Sequence, residues 1–575
     1  MRAQFETSRL KNLVAIVFPL SILMIGYMNF GTAAEPADQT DSSIVDLSLM
    51  VGTDYPCTWP QGAPYFQMNH YKRIGPGSTY NSDVLTIDQN TGTQIDFPPH
   101  SLSRPGSNRP NASPYGSHFG DKIKAWQFGG EACVIDIRQL LDKAPNGFSP
   151  LVRVEHIKAW EKKHRELGKG DVVLLSSGYS DKYYMRLPEG RAFIADPLER
   201  KRTAWPDPDP GCMEYIAQKG VHHIVVDSPS MGPMPNLAEP VHIAGLKYGA
   251  IFTEGATGLG QLPATGTFYW CSGPRHTMAP CGEARALAVT NPQLANFLIA
   301  ATRKKQVAEL TVVATANLPL MWPGHRIGEH RQAYYVVDVY HADLIDVKFH
   351  TRIFDSNSTT HLVPPTFALP APGFDNNSYA PEVRVWLAEY EKKYGPRGTS
   401  NMTTEKVPLS HTCGWARVID VSGLVGTTDH ASWPASPEIT TAQIQNYEKQ
   451  HGELKTGQIV LFHSGHVDQT YRPKSDACMV DPLAGKSEGW PAPGPEVIMY
   501  LKKRGIRCVA TDAPSLGGVD AKRAMFTYWA LGSLEMVGVE FLTNLNDIPE
   551  KAYFIFAPIK IQGCHGGPGR AMIYY

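Results

Sequence analysis

Asn90-Thr91-Gly92-Thr93-Gln94-Ile95-Asp96-Phe97-Pro98-Pro99-His100 sets a Gly-Thr turn, a carboxylate, a proline pair and a histidine within eleven residues. Hydrophobic patterning does not demand that mixture, and a metal-assisted hydrolytic site could use it. A faded copy follows as Asn357-Ser358-Thr359-Thr360-His361-Leu362-Val363-Pro364-Pro365-Thr366-Phe367. The copy keeps the proline pair and loses the carboxylate and the terminal histidine. One chain thus holds two versions of one site, the first better equipped than the second.

Further matches recur in the same order on either side of the middle of the chain. Val134-Ile135-Asp136 matches Val418-Ile419-Asp420, and Glu161-Lys162-Lys163-His164 matches Glu448-Lys449-Gln450-His451. Ser177-Gly178 matches Ser464-Gly465, and Val226-Asp227-Ser228-Pro229-Ser230 matches Thr511-Asp512-Ala513-Pro514-Ser515. The Trp-Pro element at Trp59-Pro60 has its counterpart at Trp322-Pro323. A period this long is a duplicated domain, not a solenoid array. Short β-branched runs at Asp171 to Leu175 and His223 to Val226 predict buried strands. Ile157, Trp160 and His164 lie at helical spacing within Val154 to Leu167 and predict an amphipathic helix. Each half therefore reads as α/β. The expected division is residues 1–34 as a signal segment, 35–305 as the first domain and 306–575 as the second, the two packed as a pseudo-twofold pair mimicking an isologous dimer. Residues 366–403, rich in Pro, Asn and Gly, are expected to form a surface insertion.

Length and composition agree with a multidomain globular protein. A formal net charge of -1 gives no basic surface for nucleic acid and no acidic disordered tail. Proline and glycine, 46 and 51 residues, fit a loop-rich fold better than a helical bundle. Arg2, Arg9 and Lys11 precede an apolar run from Leu13 to Phe30, and small residues follow through Ala34. This pattern predicts a secretory signal cleaved near Ala34, hence a secreted or periplasmic protein; an uncleaved membrane anchor is the alternative. Export permits disulfides, and of nine cysteines Cys271 and Cys281 form a plausible local pair. Sequons stand at Asn111, Asn357, Asn376 and Asn401.

The order of motifs resembles the metal-dependent cyclase-like hydrolase family, which includes bacterial kynurenine formamidase and isatin hydrolase. Its signature, His-x-Gly-Thr-His-x-Asp-x-Pro-x-His, is met at Gly92, Thr93, Asp96, Pro98 and His100, and is departed from at Asn90 and Gln94. The family's later histidine, twelve residues before a glutamate, has its match in His242 and Glu254. The resemblance implies a swivelling β/β/α fold in each half and a divalent metal held by Asp96, His242 and Glu254. It implies His100 as general acid/base and Trp59 as a substrate contact. Asn90 and Gln94 are candidate further ligands whose amide oxygens are weaker than imidazole. With two histidines lost, one metal per chain is expected, zinc or manganese. The implied reaction is hydrolysis of a C–N bond in a small amide, of the arylformamidase or cyclic-amide type, which would place the protein in kynurenine and tryptophan catabolism. The alternative is an inactive member that binds a small molecule. In the second half the matching positions are Asn357, His361, Val363, Tyr528, Glu540 and Phe367, a degenerate set. Ser177-Gly178 and Ser464-Gly465 lack the flanks of a nucleophile elbow, and His222-His223 reads as structural.

Overall fold

Two sheets, one from each half of the chain, carry the same strand order. The computed structural model describes residues 43–60, 64–319, 335–341 and 348–575. Trp322 and the predicted signal segment lie outside the described residues. In the first half the order is Ile44–Asp46, Arg285–Val289, Thr267–Ser272, Gly129–Asp136, Asp171–Ser176, His223–Val226, Ile251–Glu254, Gln94–Asp96 and Cys281–Glu283. In the second it is Val307–Glu309, Gly567–Tyr574, His361–Val363, Val537–Glu540, Cys508–Thr511, Ile459–His463, Cys413–Asp420 and Tyr553–Pro558. The last of these pairs back onto Gly567–Tyr574, so the second sheet closes on itself. In the first half that closing strand is interrupted at Ala284, and its two arms, Cys281–Glu283 and Arg285–Val289, pair on opposite sides of the sheet.

Four central strands of the first sheet run parallel. Parallel strands need crossover connections and are covered on both faces, which is why Asp171–Ser176 and His223–Val226 are buried along their whole length. The helices Val154–Lys163, Pro210–Gln218 and Ala238–Leu246 lie in the connections. The first of them buries Ile157 and Trp160 as expected but stops at Lys163. His164 is its C-cap and is exposed, so the predicted apolar stripe is one position shorter. Residues 366–403 are more ordered than an insertion of Pro, Asn and Gly suggests. They carry the helix Pro381–Tyr394, whose Val383, Leu387 and Tyr390 recur at helical spacing and are buried in the core of the second half.

The two halves share one core within a single compact unit, Asp38–Tyr575. Phe268, Trp270 and Leu287 of the first sheet pack with Cys413, Tyr553, Met572 and Tyr574 of the second. A further four-stranded sheet draws two strands from each half, with Ser82–Asp88 antiparallel to Lys348–Asp355. Aligning Asn90 with Asn357 makes Thr86 equivalent to Ile353, and those two residues pair with each other. Equivalent positions meeting across an antiparallel ladder are what a local twofold axis requires.

All nine cysteines are buried free thiols, Cys271 and Cys281 included, so the plausible local pair is not bridged. They lie on different strands of the first sheet, Cys271 in Thr267–Ser272 and Cys281 in Cys281–Glu283. Asn357, one of the four sequon residues, is buried. Among the described residues no helix is long and apolar enough to cross a membrane.

Candidate functional site

Strand register brings the first-half residues together. Gln94–Asp96 pairs antiparallel with Ile251–Glu254, setting Gln94 opposite Glu254 and Asp96 opposite Phe252. Alternate residues of a strand share a face, so Gln94, Asp96 and Glu254 point to the same side. The turn before this strand needs Gly92, whose φ is +66° and whose place leaves no room for a Cβ beside Val51. The degenerate copy keeps that left-handed backbone at Thr359, with φ +62°, although a β-branched residue disfavours it. A single turn, Pro98–His100, then swings His100 back toward Asp96, Nδ1 to Oδ1 3.6 Å.

The twelve-residue spacing from His242 to Glu254 folds as helix, turn and strand. His242 sits on Ala238–Leu246, and its Nδ1 donates to the Ala238 carbonyl at 2.8 Å. That bond turns Nε2 toward the carboxylates, 3.4 Å from Asp96 Oδ2 and 3.4 Å from Glu254 Oε1, where its lone pair would be available to a bound cation. The His100 and His242 rings stack with centroids 5.0 Å apart.

Asp96, His100 and His242 each aim a ligand atom at one small volume. Both Asp96 oxygens, His242 Nε2 and His100 Nδ1 are buried without a hydrogen-bond partner. An ionised carboxylate in that setting costs several kcal/mol unless a cation meets it, about the effective penalty for a buried ion. Burial, reinforced by the neighbouring Glu254 carboxylate, pushes Asp96 up to about 8. Burial opposes charge on His242, but Asp96 and Glu254 outweigh it and hold that imidazole well above its usual range. Burial, with the charge of His242, holds His100 well below the usual histidine range. Two carboxylates and an imidazole nitrogen facing one another suit a divalent cation, whose charge would reverse these tendencies.

Gln94 reaches the site as a donor, Nε2 to Glu254 Oε2 at 2.5 Å, and the Met231 N–H binds Glu254 Oε1 at 2.5 Å. Asn90 stands aside: its Nδ2 donates to Asp88 at 3.1 Å and its Oδ1 accepts from Cys281 Sγ at 3.2 Å. Trp59 packs edge-on against Trp205, 6.3 Å between centroids, and Trp205 hydrogen-bonds the Gly232 carbonyl, next to Met231. Its described contacts tie the Trp-Pro loop to the segment that fixes Glu254. Ser177 and Ser464 spend their hydroxyls on the buried carboxylates of Asp227 and Asp512, as a structural residue would. His223 is likewise structural, bonded to Thr253 Oγ1 at 2.8 Å.

Two residues here had no signal in the sequence. Phe349 comes from the second half and lies edge-on to His100, centroids 5.0 Å apart. Cys281 pairs in register with Asp96 across the sheet. Both depend on pairings distant in sequence.

In the second half the same register recurs, His361 opposite Glu540, with different chemistry. Glu540 accepts from the Leu516 N–H at 2.7 Å and from Tyr528 Oη at 2.6 Å, and His361 Nε2 lies 3.2 Å from it. Val363 stands where Asp96 does, and Phe367 where His100 does. This carboxylate is satisfied by protein groups alone.

Comparison with solved structures finds isatin hydrolase A from Labrenzia aggregata bound to benzyl benzoate, 23% identical over 43% of this chain and 92% of that one, with a TM-score of 0.35. An isatin hydrolase bound to the product analogue thioisatinate is 22% identical over 50% of this chain and 98% of that one, TM-score 0.36. A predicted metal-dependent hydrolase from Bacillus stearothermophilus is 16% identical over 43% and 98%, TM-score 0.30. The family model described as "Putative cyclase" matches residues 45–233 and again 353–517, together more than half of the chain. With one match in each half, the chain belongs to the cyclase family, twice over.

Proposed function

We propose that this protein is a metal-dependent hydrolase of a small amide C–N bond, with its working site in the first half. One observation carries the reading: the partnerless buried atoms of Asp96, His100 and His242 converge on one volume beside Glu254. Asp96, His242 and Glu254 would hold one divalent ion, zinc or manganese, with Gln94 positioning Glu254. When bound, the ion would polarise the amide carbonyl and acidify a water. His100 would take the proton of the attacking water and return it to the leaving nitrogen, so that the amide yields a carboxylate and an amine. The Ala238 carbonyl keeps His242 in one tautomer. Phe349 closes one side of His100 against solvent. The substrate class, an aryl formamide or a cyclic aryl amide like isatin, follows from the family resemblance, as does Trp59 as a substrate contact. The apolar run from Leu13 to Phe30 supports export, and N-terminal sequencing of the mature protein tests that.

A second reading, a member that binds without turnover, is favoured by the two amides at histidine positions, Asn90 and Gln94, both engaged in hydrogen bonds. Metal content and turnover of formanilide and isatin by wild type, Asp96→Asn and His242→Ala separate the readings. Hydrolysis requires metal and activity that both variants lose while staying folded; a metal-free, inactive wild type overturns it.

A further inference from the structure

A cavity of about 600 Å³ opens at the edge of the first sheet. Its wall takes in Gly170, His222 and Gly249, which stand just ahead of the strands Asp171–Ser176, His223–Val226 and Ile251–Glu254. Glu254 ends the last of these, so the cavity and the candidate metal site lie at opposite ends of one strand. The volume falls within the range of small-molecule sites.

Aromatic and cationic side chains line it. Trp126 leans on His222 with centroids 5.1 Å apart, and His222 Nε2 donates to the Gly129 carbonyl at 3.0 Å. Tyr115 closes on Gly249 so tightly that a Cβ there would fall 2.6 Å from the ring, and the neighbouring Tyr248 is 40% exposed. Lys305 sets its Nζ over the Trp126 ring, 5.2 Å from the centroid. Lys169 lies across Gly220, whose φ is +86° and where a Cβ would meet Lys169 Cγ at 2.8 Å. Arg303 is spent on Glu131 and Asp171, and Tyr248 Oη on Glu214. Lys169 and Lys305 are exposed and pair with no carboxylate among the described residues, and no Asp or Glu is among the lining residues described. Two unspent cations beside aromatic rings favour a guest that is both aromatic and anionic.

The fold does not require this set. The second half repeats the backbone, with Gly505 at φ +80° in the place of Gly220, and Thr456 packed on it in the place of Lys169. Ser410 and Leu534 stand where Trp126 and Tyr248 do. Packing that serine, threonine and leucine can satisfy leaves the rings and the charge of the first half free for another role.

We infer that this cavity is a binding site for a planar aromatic anion, its ring received by Trp126 and Tyr248 and its negative group by Lys169 and Lys305. The site needs no metal and stands whether or not the first half is an enzyme.

The test is isothermal titration of the full chain with 2-naphthoate, with 2-naphthol (which lacks the charge) and with hexanoate (which lacks the ring). EDTA is present, so that a carboxylate finds no ion at Asp96 and His242. Naphthoate should bind at one equivalent, at least about tenfold tighter than either other probe, as two exposed ion pairs together supply. Lys169→Gln and Lys305→Gln should each weaken naphthoate about threefold, and the double variant about tenfold, with 2-naphthol unchanged. Trp126→Ser, which installs the residue found at this place in the second half, should weaken naphthoate and 2-naphthol alike. The exposed lysine variants carry the test if Trp126→Ser fails to fold. His242→Ala should leave naphthoate binding as it was. Absence of saturable naphthoate binding, equal affinity for naphthoate and 2-naphthol, full affinity in the double lysine variant, or binding lost in His242→Ala would each overturn the inference.

Discussion

Phe349, from the second half of the chain, lies edge-on to His100 in the first, with ring centroids 5.0 Å apart. It lies on the strand Lys348–Asp355, two residues before the stretch Thr351 to Asp355 that pairs antiparallel with Ser82–Asp88, so the strand joining the halves also delivers this ring to the site. The site is therefore not the property of one half. Replacing Phe349 with leucine should retain bound metal and lower kcat about tenfold, because a displaced catalytic imidazole is costly even for small shifts. Steady-state kinetics beside metal analysis checks this; an unchanged kcat would remove Phe349 from the site.

Metal binding should depend on His242 above all, since among the described residues its Nε2 is the one imidazole nitrogen within 3.4 Å of both carboxylates. His242→Ala is expected to weaken the ion by at least about a hundredfold, more than loss of an outer-shell partner costs. Competition with a chromogenic chelator measures it.

Gln94→His would place an imidazole where Gln94 now donates to Glu254. Imidazole is a better zinc ligand than an amide oxygen. The expected result is zinc affinity raised about tenfold or more, read by the same competition assay. No gain would mean that position 94 does not face the ion.

Arg352 is a buried tie between the halves, 3.4 Å from Glu283 and 3.3 Å from Gln89. Burial disfavours charge on Glu283, yet His276 and Arg352 outweigh it and keep the carboxyl below its usual range. Arg352→Met leaves that carboxylate with His276 as its remaining named partner, 3.1 Å away, and should cost up to about 3–5 kcal/mol of stability, the range for removing one member of a buried ion pair. The variant's Glu283 would then be the more easily protonated in the folded state. The deficit against wild type should accordingly be full near pH 7 and shrink as pH falls below the ordinary glutamate range, in thermal melts across pH.

Asp83 clamps the closing turn of the second half onto the first. Its carboxylate accepts from His565 N at 2.7 Å and pairs with His565 Nδ1 at 2.9 Å and His70 Nδ1 at 2.7 Å. Burial alone would raise Asp83, but His565 and then His70 bring it down to about 2. A depressed carboxyl stabilises above its unfolded value and loses that contribution as pH falls through the folded one. Wild type should lose stability between about pH 4 and pH 2, and His565→Ala should lose less over that window because its Asp83 is less depressed. Equal losses in the two proteins would remove the clamp.

The sequence by itself determined the duplication and the α/β character of each half, and its resemblance to a family implied the candidate set Asp96, His100, His242 and Glu254. These are carried by local order: a Gly turn, a strand, a one-turn helix, and a fixed helix–turn–strand spacing. It also carried the difference between the two copies, because the Val363 side chain, at the position of Asp96, offers no oxygen to a cation. Only the tertiary structure decided which partners satisfy those groups. That Gln94 donates to Glu254, that Asn90 turns to Asp88 and Cys281, and that Cys271 and Cys281 stay apart all follow from strand pairing between distant segments. Phe349 at the first site and Tyr80 at the second cross the local twofold axis, and no pattern within either half records that exchange. Hydrophobic periodicity reports which face of an element is buried; it carries no information on what lies opposite.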